Sequence, residues 1–193
     1  MGKVLEKYQS DFEFNVVSGG LFKGERVGYI NDIASYIKSG AYKNVEERTG
    51  VLFGELFLEE AIVNNAIYLD SLPPAIALAM IKRFYPEKKM EYAHELLKAF
   101  YFEGKSTDDW TVYKDVANKL GMSIKDFELE IKKPEYLEEA QNEFESSTGS
   151  NVNGFPSLVL TVGDQSIALS NGYVDFDVID KKLTQILDMI KNS

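Results

Sequence analysis

The chain has 193 residues, 31 acidic against 21 basic for a formal net charge of −10, with 45% hydrophobic residues and no cysteine. A chain of this length buries about 70% of its unfolded surface without a covalent staple, and its average composition excludes a disordered or fibrous polypeptide. The negative charge repels phosphate backbones and anionic headgroups, so neither nucleic acid nor membrane is an expected partner; the missing cysteines remove disulfides, thiolate metal sites and a thiol nucleophile.

No apolar run approaches the roughly 20 residues of a membrane span, and Met1 to Ser10 lacks an apolar core of signal-peptide length, so a cytoplasmic location is expected. Val4, Leu5 and Tyr8 fall on one side of a helix over residues 1–9. Phe12-Glu13-Phe14-Asn15-Val16 then alternates apolar and polar side chains, which predicts a strand, and Ser18-Gly19-Gly20 predicts the turn that stops it.

From Arg26 to Thr148 the periodicity is helical. Ser71-Leu72-Pro73-Pro74 opens one helix, because proline in a first turn forfeits only an N–H that would be unpaired anyway. A second is expected from Pro86 to Glu103, with Met90, Ala93, Leu97 and Phe100 as its apolar stripe and Gly104 as its stop. A third lies between Ser106 or Thr107 and Leu120, with Asp108-Asp109 at its start and Gly121 at its end. Ser123 with Asp126 resembles the cap of a fourth, and Pro134 starts a fifth that runs to Ser147.

The last 40 or so residues change character again. Ser157 to Val162 is a short apolar run of strand length, Gly163-Asp164 is a two-residue hairpin turn, and Gln165 to Leu169 is the return strand. Asp175 is placed to cap a terminal helix with Phe176, Ile179, Leu183, Ile186 and Ile190 at steps of three and four.

Few residues invite a chemical role. His94 is the only histidine and is read as a helix-face residue, Asp108-Asp109 as helix capping, and Glu138, Glu139, Glu143 and Glu145 as one solvated face. Phe100, Tyr101, Phe102 and Trp110 could line a groove but are read as core, and Gly19-Gly20 serves either a plain turn or a close backbone approach. No metal site and no cofactor is expected. Gly154-Phe155-Pro156 stands apart: a proline at the start of a strand costs the ladder no N–H, and the residues alone leave its peptide bond open between cis and trans.

Val152-Asn153-Gly154-Phe155-Pro156-Ser157-Leu158, followed by a hairpin and a helix, resembles the C-terminal half of a thioredoxin fold. With Ser18-Gly19-Gly20, Gly24 to Val27, Glu47-Arg48-Thr49-Gly50, Phe53-Gly54, Pro73-Pro74-Ala75, Ala99-Phe100-Tyr101 and Glu103-Gly104-Lys105, nearly the whole chain resembles the DsbA-like group that includes FrnE-type cytoplasmic proteins. The resemblance implies an α/β thioredoxin-like fold with a large inserted all-helical domain. Residues 1–24 and 150–193 would form the thioredoxin-like part, and residues 25–149 the insertion.

In that family a C-x-x-C pair opens the first thioredoxin helix, where the helix dipole lowers the thiol pKa. Met1 to Tyr8 corresponds to the later part of that helix, so the expectation is a chain without the first strand and the cysteine turn, and redox-inactive as it stands. What carries over by resemblance is a substrate-binding edge, with Pro156 as the cis-proline, Phe155 as the residue whose backbone pairs with a bound peptide, and Gly154 beside it. The implied function is that of a thiol-disulfide oxidoreductase or protein disulfide isomerase family member acting on protein or peptide substrates. The alternatives are a non-catalytic module binding a peptide or small molecule and a glutathione-dependent isomerase, for which no catalytic residue is nominated. An incomplete sheet also predicts a homo-oligomer that fills it.

Overall fold

The computed structural model describes residues 2–149, 152, 154–163 and 165–191, and the chain divides into two compact units: 1–19 with 144–193, and 20–143. The chain opens with helix α1 (Gly2–Tyr8), which buries Val4 and Tyr8, one helical turn apart on a single face.

The unit of residues 20–143 holds a two-residue antiparallel pair, β1 (Gly28–Tyr29) with β2 (Tyr68–Leu69), so this region is helix-rich rather than all-helical. Around the pair lie the short helices α2 (Ile30–Ile33), α3 (Tyr42–Thr49) and α4 (Glu55–Leu58). Ile30, Ala34, Phe57, Ala61, Ile67 and Leu69 form their shared core. The proline-opened helix α5 (Leu72–Phe84) buries every residue from Ala75 to Ile81, the all-round burial of a central helix.

A single 3₁₀ turn at Pro86–Lys88 leads into α6 (Lys89–Tyr101), whose buried face is Tyr92, Leu96, Ala99 and Phe100. The expected stripe is therefore out of phase: Leu97 points to solvent, because the large Tyr92 and Leu96 rather than Met90 and Ala93 define the inward side. Helix α7 (Trp110–Lys119) starts on Asp109, whose carboxylate accepts the Thr111 N–H at 3.0 Å, the capping role read from the sequence. Ser123 does not cap α8 (Phe127–Glu130). It exchanges hydrogen bonds with the Tyr85 hydroxyl instead, donating its N–H and accepting at its carbonyl, both at 2.9 Å.

Buried tyrosines tie this unit together. The Tyr92 hydroxyl donates to the Tyr113 carbonyl at 3.0 Å, and the Tyr113 hydroxyl donates to the Thr107 carbonyl at 2.5 Å. Burial pushes both phenols well above their ordinary range, so they remain neutral donors. Helix α9 (Pro134–Gly149) buries Tyr136, Ala140, Phe144 and Ser147 at steps of four and three. Glu138, Glu139 and Glu145 on it are exposed, but Glu143 is half-buried and ion-paired with Lys82, so the four do not form one solvated face.

In the other unit β3 (Ser157–Val162) and β4 (Gln165–Asn171) form the expected hairpin, with a register shift between Leu158 and Val159. Gly163 takes φ 59°, the left-handed backbone a tight turn asks of its glycine, while Asp164 lies outside the described residues. Helix α10 (Phe176–Lys191) buries Ile179 and Leu183 against Val4, Tyr8 and Leu169, with Phe176, Ile186 and Leu187 partly buried beside them. The stripe ends there: Ile190 is 53% exposed.

Helix α1 is fastened to α10 by polar contacts as well. The Tyr8 hydroxyl lies 2.8 Å from an Asp180 carboxylate oxygen and 3.0 Å from Thr184 Oγ1, and Lys7 pairs with the same carboxylate. Hydrogen bonds from Lys7 and then Tyr8 hold the Asp180 carboxyl below its ordinary range.

Phe12 to Val17 departs from expectation. Its burial alternates with period two, Phe12, Phe14 and Val16 half-buried and Glu13, Asn15 and Val17 exposed, yet it belongs to no sheet. Phe12 and Phe14 rest on the same apolar cluster as Leu158 and Leu160 without their backbones pairing. The pattern specifies which side chains face the core. A ladder needs in addition a neighbour at about 4.8 Å, and among the described residues no strand pairs with this segment.

Candidate functional site

Gly154, Phe155 and Pro156 stand immediately before β3, and the Phe155–Pro156 peptide is cis. Two neighbours fix the segment. The Ser157 hydroxyl donates to the Gly154 carbonyl at 2.6 Å, closing a short loop around Phe155 and Pro156. The Phe155 ring lies across Gly19: a Cβ built on Gly19 would sit 2.2 Å from Phe155 Cε1 and 2.4 Å from Cζ, so only glycine leaves room for the ring in this place. Ser147, near the end of α9, approaches the same glycine, its hydroxyl 3.4 Å from the Gly19 carbonyl.

Held in this way, Phe155 keeps its polar backbone free. Among the described residues neither its N–H nor its C=O has a hydrogen-bond partner, and the residue is 44% exposed. Backbone groups in that state are ready to pair with another chain's amide and carbonyl. Pro156 presents no N–H of its own, so the peptide-like donor of the segment is that of Phe155. Gly154 contributes differently from its neighbours. Its carbonyl is already taken by Ser157, and a Cβ there would meet open space.

The structure thus brings Gly154, Phe155 and Pro156 together as the sequence order requires and adds Gly19 and Ser157, which the sequence reading did not assign to the site. A signal for Gly19 existed in the Gly19-Gly20 pair, but nothing in the sequence joins it to a ring so far along the chain. The other conspicuous residues do not converge here. His94 is exposed on α6, Asp109 caps α7, and Trp110 stacks edge-on against Tyr113 at 5.5 Å. Phe100 is buried as read, whereas Phe102 is 51% exposed and is not core. Among the described residues no cluster of histidine, aspartate or glutamate is arranged to hold a metal ion, and no helix is long and apolar enough to cross a membrane.

A terminal helix packed on a β-hairpin, a proline-started strand and a helix-rich block carried between the two ends of one unit define a DsbA-like thioredoxin fold. Solved structures that share it include proteins described as disulfide isomerases or reductases. A Nitrosomonas europaea protein assigned to the protein disulfide isomerases matches with a TM-score of 0.83 over 97% of this chain and 88% of its own, at 18% identity. The cytosolic disulfide reductase DsbM of Pseudomonas aeruginosa matches with a TM-score of 0.74 at 16% identity, over 92% of this chain and 85% of its own. The same protein solved with GSH gives 0.70 at 18% identity, over 92% and 86%. No protein-family profile and no curated protein sequence matches the chain.

Proposed function

We propose that this protein is a DsbA-like disulfide isomerase or reductase relative that binds an extended peptide backbone at Phe155 and, as this cysteine-free chain, turns over no disulfide by itself. The observation that carries the reading is the unpaired Phe155 backbone, displayed at the surface by a ring seated on Gly19 and a loop closed by Ser157. Thiol–disulfide exchange begins with attack by a thiolate, and a chain with no cysteine supplies none. Pro156 fixes the backbone direction next to Phe155, and Gly154 keeps the approach open. The peptide class includes glutathione, the ligand of the DsbM structure, whose amide and carbonyl groups match what Phe155 offers. A cytoplasmic setting suits this reading, because the DsbM relative is cytosolic.

Titration of the isotope-labelled protein with reduced glutathione tests the binding half. The Phe155 amide resonance is expected to shift saturably, and an unmoved Phe155 at millimolar glutathione refutes peptide binding there. Reduction of insulin disulfides with glutathione as the electron source tests the other half. The expected rate equals the uncatalysed one, whereas protein-dependent turnover would move the protein to the glutathione-dependent enzymes.

A further inference from the structure

The sequence holds two asparagine–glycine pairs, Asn153-Gly154 and Asn171-Gly172, and the structure describes both members of the second. Asn171 is exposed and is the last residue of β4, and Gly172 follows it outside the strand with φ 82°. Three features there favour attack of the Gly172 backbone nitrogen on the Asn171 side-chain amide. Gly172 has no Cβ to obstruct the ring that forms, and a Cβ built on it would meet open space, so nothing packs against the moving segment. Its N–H enters no hydrogen bond among the described residues, so no partner has to be given up. The rotation that brings Asn171 Cγ over that nitrogen opens one end pair of the ladder, Ser157 with Asn171, and the ends of elements open at little cost.

Asn171 is in turn joined to the loop ahead of β3. Its Oδ1 lies 3.3 Å from the Ser157 hydroxyl, the same hydroxyl that donates to the Gly154 carbonyl at 2.6 Å. A hydroxyl has a single proton to give, so the two oxygens compete for it, and with a neutral amide at 171 the nearer Gly154 carbonyl holds it. We infer that Asn171-Gly172 is a self-modifying site that acts on the Phe155 loop. The Gly172 nitrogen bonds to Asn171 Cγ and loses its proton, the side-chain nitrogen departs as ammonia, and water opens the resulting succinimide to aspartate or isoaspartate. Nothing is oxidised or reduced; one water is taken up and one ammonia released. Aspartate sets a carboxylate where the amide stood, and a charged acceptor makes a hydrogen bond roughly twice as strong as a neutral one. The Ser157 proton then turns to residue 171, and the loop around Phe155 and Pro156 loses its closing bond. Isoaspartate routes the backbone through Cβ and Cγ and so disturbs the pairing with Ser157 itself. Only the effect on peptide affinity rests on the function proposed for Phe155; the chemical step and the loop change do not.

Ageing the whole protein in mildly alkaline buffer tests the chemical step. Tandem mass spectrometry of its peptides reads the gain of one mass unit at each asparagine, and labelling with an isoaspartyl methyltransferase reads the isoaspartate. Asn171 is expected to convert about tenfold faster than the asparagines that no glycine follows. Asn171→Gln, which would have to close a six-membered ring, is expected to remove the signal at 171. Conversion at Asn153 with none at Asn171, or at neither, would overturn the site.

The loop change is read on Asn171→Asp, an exposed substitution that keeps the fold. In the isotope-labelled protein without ligand, the Phe155 amide resonance is expected to move toward its position in Ser157→Ala, which lacks the hydroxyl altogether. Adding Asn171→Asp to Ser157→Ala is expected to move it no further, because both changes remove the same bond. A Phe155 resonance unmoved by Asn171→Asp would overturn the coupling, and so would a shift that persists in full in the Ser157→Ala background. Since no ligand enters these measurements, their failure is distinct from a failure of glutathione to bind at Phe155.

Discussion

The two units of this protein bury comparable kinds of side chain and differ in how they finish their backbones. In residues 20–143 even a two-residue strand pair is completed by its surroundings. Ser106 and Thr107 hydroxyls donate to the Tyr68 carbonyl at 3.2 and 2.9 Å, and the same hydroxyls accept the N–H groups of Tyr68 and Asp70 at 2.8 and 2.7 Å. Among the described residues of 1–19 with 144–193, a segment with the burial rhythm of a strand has no ladder, and one strand of a hairpin is paired on one side. A hydrophobic core can therefore be closed while the hydrogen bonding above it is not. Backbone pairing is thus more complete around β1 and β2 than around β3 among the described residues.

The largest expected effect breaks the closed unit. Gly54 is buried with its N–H donating to the Tyr101 carbonyl at 3.1 Å, and a Cβ there would lie 1.8 Å from the Phe102 carbonyl oxygen. That oxygen belongs to backbone that cannot swing aside. Gly54→Ala is expected to destabilise the protein by about 3 kcal/mol, the upper end of overpacking costs. Urea unfolding measures the loss, and hydrogen exchange should place it in residues 20–143. A change below about 1 kcal/mol would show that the Phe102 backbone yields more easily than the close approach at Gly54 implies.

A smaller substitution sharpens the same contrast. Tyr92 is fully buried, and its hydroxyl reaches the Tyr113 carbonyl within the closed network. Tyr92→Phe removes that donor with little change in shape and is expected to cost about 1 kcal/mol. Thermal and urea unfolding measure it. The exchange rates of the amides in β3 and β4 should not change, whereas an equal loss of protection there would mean the two units unfold as one.

Much of this architecture was legible because local chemistry dictates it. Pro73 and Pro74 open α5, Asp109 caps α7, and the apolar run before Gly163 returns as β4. What escaped the sequence depends on partners far along the chain. Period two in Phe12 to Val17 reports which side chains turn inward, and does so correctly, but a pattern within one segment carries no information on whether another strand lies beside it. Glu143 sits among exposed glutamates, and its ion pair is with Lys82, sixty-one positions away. In α6, two interleaved apolar sets were available, and the neighbours of Tyr92 and Leu96 decided which faced inward. The candidate site shows the same division: Gly154, Phe155 and Pro156 could be named from their order, whereas Gly19 required the fold.

Gly19 also supports the smallest expected effect on stability and the sharpest separation of stability from binding. Like Gly54 it has no room for a methyl group, but what stands in the way is the far side of the Phe155 ring, 2.2 to 2.8 Å from the added carbon, rather than backbone. The ring is on the surface and already 44% exposed, so it can rotate into water instead of forcing the chain apart. Gly19→Ala should therefore cost about 0.5 kcal/mol in urea unfolding, within the range of surface substitutions. The same change releases the Phe155 backbone from its fixed direction, and glutathione or peptide affinity at that residue should fall about tenfold as pre-organisation is lost. Unchanged affinity would mean that the Gly19 cradle only stores the ring. A stability loss as large as that of Gly54→Ala would mean that the second unit is packed as rigidly as the first, and the contrast between them would fail.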